Sequence, residues 1–131
     1  MDNLIIEATR YTPAIYFDFK TDELSIKGES YAENVMEFYA PVISWIEEYM
    51  EHHHDRYIVL NLELFYFNSS SSKILLDIFD LLESAAVEGK NITINWIYDK
   101  DDDTAYEFGE EFKEDFNLVF FRLIQKEKNS G

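Results

Sequence analysis

Over the stretch from Tyr57 to Val87 the apolar pattern changes period once, with no linker between the two halves. From Tyr57 to Phe67, Ile58, Leu60, Leu62 and Leu64 recur at every second position with Asn61 and Glu63 opposite, which is the period of a strand. From Ser70 to Val87, Ile74, Leu75, Ile78, Leu81, Leu82 and Ala85 recur at helical spacing, and Gly89 is a stop signal. A strand running straight into an amphipathic helix is half of a strand–helix–strand unit. The other half follows at Asn91–Tyr98. Such a unit forces parallel pairing through a right-handed crossover.

The flanks extend this plan. Leu4–Ala8 reads as a first strand, and Ile15–Phe19 with Leu24–Lys27 as a hairpin around the turn Thr21-Asp22-Glu23. Val35, Phe38, Tyr39, Val42, Ile43, Ile46 and Met50 mark a helix, which Pro41 is predicted to kink or to divide in two. A helix over Asp103–Asp115 and a strand over Leu118–Ile124 complete the order βββ-α-β-α-β-α-β. The fold class is α/β: a single domain over residues 1–125 with a mixed, mostly β-sheet core backed by helices, and a flexible C-terminal tail over 126–131.

Composition narrows the function. The chain has 131 residues, 47% of them apolar and 17% aromatic, so it can bury a real core. It has no cysteine, which removes disulfides, thiolate metal sites and thiol nucleophiles. Its formal charge of −16 repels phosphate backbones and anionic lipid surfaces, so neither nucleic acid nor membrane is an expected partner. The N-terminus has no basic region followed by an apolar stretch, and the expected location is cytoplasmic.

Three clusters remain. Asn68 and the serines Ser69 to Ser72 stand at the entrance of the central helix. One such residue would suffice as a cap, and a phosphate there would meet free N–H groups and the positive end of the helix dipole, with Lys73 one turn further in. Glycine is absent from Tyr57 to Glu88, so this is no P-loop. In the acidic stretch, Asp99, Asp101 and Asp103 fall at positions 1, 3 and 5 of a calcium loop, with Glu107 at 9 and Glu110 at 12. Thr104 stands where that loop needs glycine, and the dull reading is that Asp103 caps the next helix. His52, His53 and His54, with Asp55, follow the first long helix and suit its C-terminal dipole better than a metal. No nucleophile elbow, HExxH motif or glycine-rich cofactor loop is present, so the chain is not read as an enzyme and no cofactor is expected.

Three stretches, GESYAENVMEFYAPVISWIEEY (Gly28–Tyr49), LELFYFNSSSSKILLDIFDLLE (Leu62–Glu83) and INWIYDKDDDTAYEFGEEF (Ile94–Phe112), cover about half the chain. With the order of elements they resemble the STAS-like anti-sigma factor antagonists, and more closely the SiaC family of bacterial regulatory phosphoproteins. The resemblance implies a STAS-like domain that is a non-enzymatic switch. A GHKL-type protein kinase phosphorylates it, a PP2C-type phosphatase reverses this, and the unphosphorylated form activates a diguanylate cyclase in cyclic di-GMP and biofilm control. It implies Ser69, directly after Asn68, as the acceptor, ahead of Ser70 and Ser71. Threonine is expected there in close relatives, and STAS antagonists generally carry an acid where Asn68 stands. Ser70, Lys73, Tyr66 and Phe67 would form the phosphate environment and partner interface. The alternatives are a constitutive interaction or scaffold module whose serines only cap the helix, and a calcium-responsive domain using Asp99, Asp101, Asp103 and Glu110.

Overall fold

Six strands and three helices follow one another as β1 (Leu4–Ile6), β2 (Ala14–Asp18), β3 (Glu23–Ser30), α1 (Val35–His52), β4 (Tyr57–Phe67), α2 (Ser69–Val87), β5 (Asn91–Asp99), α3 (Asp103–Asp115) and β6 (Phe120–Lys126). The computed structural model describes residues 1–52 and 57–127. The strands form one sheet in sequential order, antiparallel from β1 to β3 and parallel from β3 to β6. This is the mixed sheet that the alternation of strands and helices predicts.

Each parallel step moves one strand in the same direction, so right-handed crossovers place all three helices on one face. The burial pattern agrees. Ile15 and Phe17 of β2, Leu24 and Ile26 of β3, Ile58, Leu60 and Leu62 of β4, Ile92, Ile94 and Trp96 of β5, and Phe121 of β6 are buried together with the inner faces of the helices. Tyr39, Val42, Trp45, Ile46 and Tyr49 come from α1, and Ile74, Leu75, Ile78, Phe79 and Leu82 from α2. Helix α3 lies very close to the sheet at Gly109, where an added Cβ would stand 2.6 Å from Trp96 and 2.7 Å from Leu123.

Local chemistry sets the boundaries. Asp22 turns the hairpin in a left-handed conformation (φ 62°), which aspartate tolerates, and its buried carboxylate accepts a 2.6 Å hydrogen bond from Tyr49. The first strand is shorter than predicted, ending at Ile6. Pro41 does not divide its helix: α1 runs unbroken through it. Pro41 and Glu37 are both exposed, so the carbonyl that loses its donor can turn to water. At the other end of the chain, β6 reaches two residues past the predicted Ile124, and Lys126 bonds Glu63 at 2.8 Å. The last residues of the expected tail, 128–131, lie outside the described residues. Among the described residues no helix is long and apolar enough to cross a membrane.

Candidate functional site

Strand β4 ends at Phe67, and Asn68 alone separates it from α2. Asn68 keeps an extended backbone (φ −93°, ψ 177°), and its side chain accepts a 2.9 Å hydrogen bond from the amide of Ser71, which makes it the N-cap. The amides of Ser69 and Ser70 belong to the first turn, which has no carbonyl one turn earlier to bind.

The four serines fall into three environments. Ser71 is fully buried. Its hydroxyl donates to the Ser30 carbonyl at 2.7 Å and accepts from the Ser30 hydroxyl at 2.8 Å. The Ser30 hydroxyl, its proton committed to Ser71, accepts at 2.7 Å from Tyr39. Burial pushes the Tyr39 hydroxyl up to about 12, against the opposing pull of its bond to Ser30, so it stays protonated and donating. Ser30 also anchors the turn through its carbonyl, which accepts from the Asn68 amide at 3.2 Å. The half-buried Ser72 donates back to the Ser69 carbonyl at 2.8 Å. Ser69 and Ser70 are exposed.

Reaching the Ser71 hydroxyl would require the turn to open and both of its hydrogen bonds to break, so this conformation does not present Ser71 as an acceptor. Ser69, at the first helical position, projects from the turn. Lys73 is exposed and four residues on, hence on the same side of the helix. The first turn of α2 contains no acid.

Aromatic side chains flank the turn. The register between β3 and β4 shifts at Gly28/Glu29, and this bulge leaves the consecutive Phe65 and Tyr66 both exposed. Tyr66, 53% exposed, meets Tyr31 edge-on at 5.3 Å, and Tyr31 meets Tyr11 in the same way at 5.2 Å. Phe67 instead packs against Trp96 and Phe108 at centroid distances of 5.7 and 4.9 Å. It supports the turn from beneath more than it offers surface. A cleft of about 290 Å³ lies beside it, with Phe65, Tyr66, Phe67, Asp102, Thr104 and Phe108 in its walls.

The acidic stretch folds differently from a calcium loop. Helix α3 begins at Asp103, the fifth position of the loop such a site would need, and a strand rather than a helix precedes it. Asp102, not Asp103, is the cap, accepting from the Ala105 amide at 3.0 Å. Glu110 stands beside Tyr106, whose hydroxyl it pushes up. Asp99, Asp101, Asp103 and Glu110 are exposed and do not gather, and no group of three or more acids or histidines converges among the described residues. His52 closes α1, while His53, His54 and Asp55 lie outside the described residues.

Ser30, Tyr39, Tyr31 and Tyr11 were not legible as site residues. Ser30 and Ser71 are 41 positions apart, and no local pattern connects them.

The profile of the SiaC family of regulatory phosphoproteins matches residues 6–126. An uncharacterised protein of Pseudomonas aeruginosa is 40% identical over 120 residues, 92% of this chain and 94% of its own length. The crystal structure of apo-SiaC from P. aeruginosa superposes with a TM-score of 0.84 at 37% identity, over 95% of this chain and 99% of its own. A chain in the crystal structure of the P. aeruginosa diguanylate cyclase SiaD in complex with its activator SiaC superposes with a TM-score of 0.87 at 38% identity, over 94% and 99%.

Proposed function

Because this chain belongs to the SiaC family of regulatory phosphoproteins, we propose that it is a non-enzymatic switch governed by phosphate on Ser69. In the unphosphorylated state it binds and activates a diguanylate cyclase, a reading supported by its likeness to SiaC, the activator bound to the cyclase SiaD in the P. aeruginosa complex. A GHKL-type kinase transfers the phosphoryl group to the Ser69 hydroxyl, and a PP2C-type phosphatase hydrolyses it, both acting in the cytoplasm.

The observation that carries this reading is the division of labour among the serines: Ser71 and Ser72 are consumed by hydrogen bonds, while Ser69 and Ser70 stand exposed at an uncharged helix entrance, and the family resemblance favours Ser69, directly after Asn68. Phosphate would add about −1.5 to −2 charges there. The helix N-terminus and Lys73 make that charge tolerable to the folded protein. The same charge beside Phe65 and Tyr66 obstructs any partner that has to dry that surface, because a dianion in an apolar interface must be desolvated. Release therefore needs no unfolding.

The test is cyclic di-GMP synthesis by the cognate cyclase with three forms of the chain: unmodified, phosphorylated on Ser69, and Ser69→Ala. The unmodified and alanine forms should activate equally and the phosphorylated form at least about tenfold less, a difference near 1.4 kcal/mol in binding. Equal activation by all three would sink the proposal.

A further inference from the structure

Parallel sheets are ordinarily covered on both faces. Here all three helices lie on one, and the other is open. Alternation puts Ile5, Tyr16, Tyr57, Phe65 and Phe120 on that open face, all exposed, with Ile5 at 61% and Phe120 at 63%. The register draws a row across all six strands, Ile5–Tyr16–Ser25–Asn61–Asn95–Arg122. One row toward the C-terminal ends of the parallel strands, Ala14 pairs with Lys27, Lys27 with Glu63, and Ile97 with Ile124. Glu7, one residue past β1 and two past Ile5, is exposed at that edge of the sheet.

Charge distinguishes the two faces. The helices α1, α2 and α3 carry formal charges of −4, −2 and −5, so −11 of the chain's −16 lies on the helical layer. The open face carries Lys27, Arg122 and Lys126 against Glu7, Asp18, Glu23, Glu29, Glu63 and Asp99, a net of −3. At the two edges the signs differ: the β1–β2 edge is acidic through Glu7 and Asp18, and the β6 edge is basic through Arg122, Lys126 being paired with Glu63.

We propose that a second copy of this chain covers the open face in a two-fold homodimer. Six strands at about 4.8 Å spacing and about 20 Å of strand length give roughly 500 Å² of sheet per copy, or about 1,000 Å² for the pair, which reaches the lower limit of a specific interface. The sign pattern selects the symmetry axis. A two-fold axis across the strands would stack each strand on its own copy and bring Arg122 and Lys126 against themselves. With the axis along the strands, between β3 and β4, β6 of one copy lies over β1 of the other. Glu7 then lies beside the other copy's Arg122 and Ala14 faces Ile97, while Lys27 and Lys126 stay paired with Glu63 of their own copy. The helical layers, with most of the negative charge, point away from one another.

Sedimentation equilibrium of the full chain over a concentration series tests this. Dimer formation should be weakened at least about tenfold by Arg122→Glu, and likewise by Phe120→Ser, both at exposed positions. Glu7→Arg combined with Arg122→Glu should restore it. Glu7 is the better partner for the swap because Asp18 holds the hairpin turn through the amides of Lys20 and Thr21. A monomer at every concentration up to about 1 mM would overturn the proposal. So would a dimer indifferent to both single variants, or a monomer whose β6 gains protection from hydrogen exchange only when the cyclase is added, which would assign the face to that partner.

Discussion

Two turns at the same end of the sheet solve one backbone problem with opposite charge. Between β4 and α2, Asn68 accepts from the third amide of its helix at 2.9 Å; between β5 and α3, Asp102 does the same at 3.0 Å. Tyr66–Lys73 carries a single charge, that of Lys73, whereas Asp99–Tyr106 carries four carboxylates and Lys100. The second turn has already supplied its helix dipole with anions. The first leaves that position vacant and places an exposed hydroxyl there. Capping alone does not explain the difference, since either chemistry caps. A neutral entrance with a free hydroxyl is what a reversible anion requires.

The largest expected effect removes the contrast outright. Ser69→Ala should abolish phosphate incorporation by the cognate kinase, while Ser70→Ala leaves it intact; phosphate-affinity electrophoresis distinguishes the two, and retained incorporation in Ser69→Ala would shift the site to a neighbour. The supports of the turns come next. Gly109→Ala forces a Cβ against Trp96 and Leu123 and should cost about 1–3 kcal/mol in denaturant unfolding, by pushing α3 off the sheet. Ser30→Ala strips Ser71 and Tyr39 of their shared partner and should cost about 1–3 kcal/mol, more than Ser72→Ala, whose bond is only half-buried. Removing the caps sharpens the comparison: Asn68→Ala and Asp102→Ala should each cost about 1 kcal/mol. If Asn68→Ala proves the dearer by a wide margin, the neutral turn is held by more than its cap.

The smallest expected effect is on pH. Glu83 of α2 accepts from the amides of Asn117, Leu118 and Val119, tying α2 to the loop that leaves α3. Burial pushes its carboxyl up, but the three donations outweigh this and hold it below the usual range. A depressed acid contributes stability that is fully present above its unfolded value, near 4.3, and is lost as pH falls through the lower folded value. Glu83→Gln should therefore narrow the difference in Tm between neutral and acidic buffer, and an unchanged difference would count against this bond.

Much of the fold was readable because strands and helices write their periods locally. Tyr57–Phe67 and Asp103–Asp115 match the structure to the residue, and α2 begins one residue earlier than the periodicity suggests because Ser69 is already helical. Pro41 misled because its consequence depends on which side of the helix faces water, which the strip of apolar residues sets only after packing. The candidate acceptor stood out in the sequence as a run of serines, but the roles within the run did not. Only the approach of Ser30 and Tyr39 from elements far away in sequence buries Ser71 and separates it from Ser69. The pairing of Tyr31 with Tyr66 was hidden for the same reason, since a bulge rather than a motif exposes Tyr66.

The most direct measurement is phosphosite mapping by mass spectrometry on protein taken from its native cells in two growth states. Phosphate on Ser69, at different occupancy in the two states and absent from the buried Ser71, is the expected result. No phosphate in either state, and none after incubation with the cognate kinase, would contradict it and leave the serines as a helix cap.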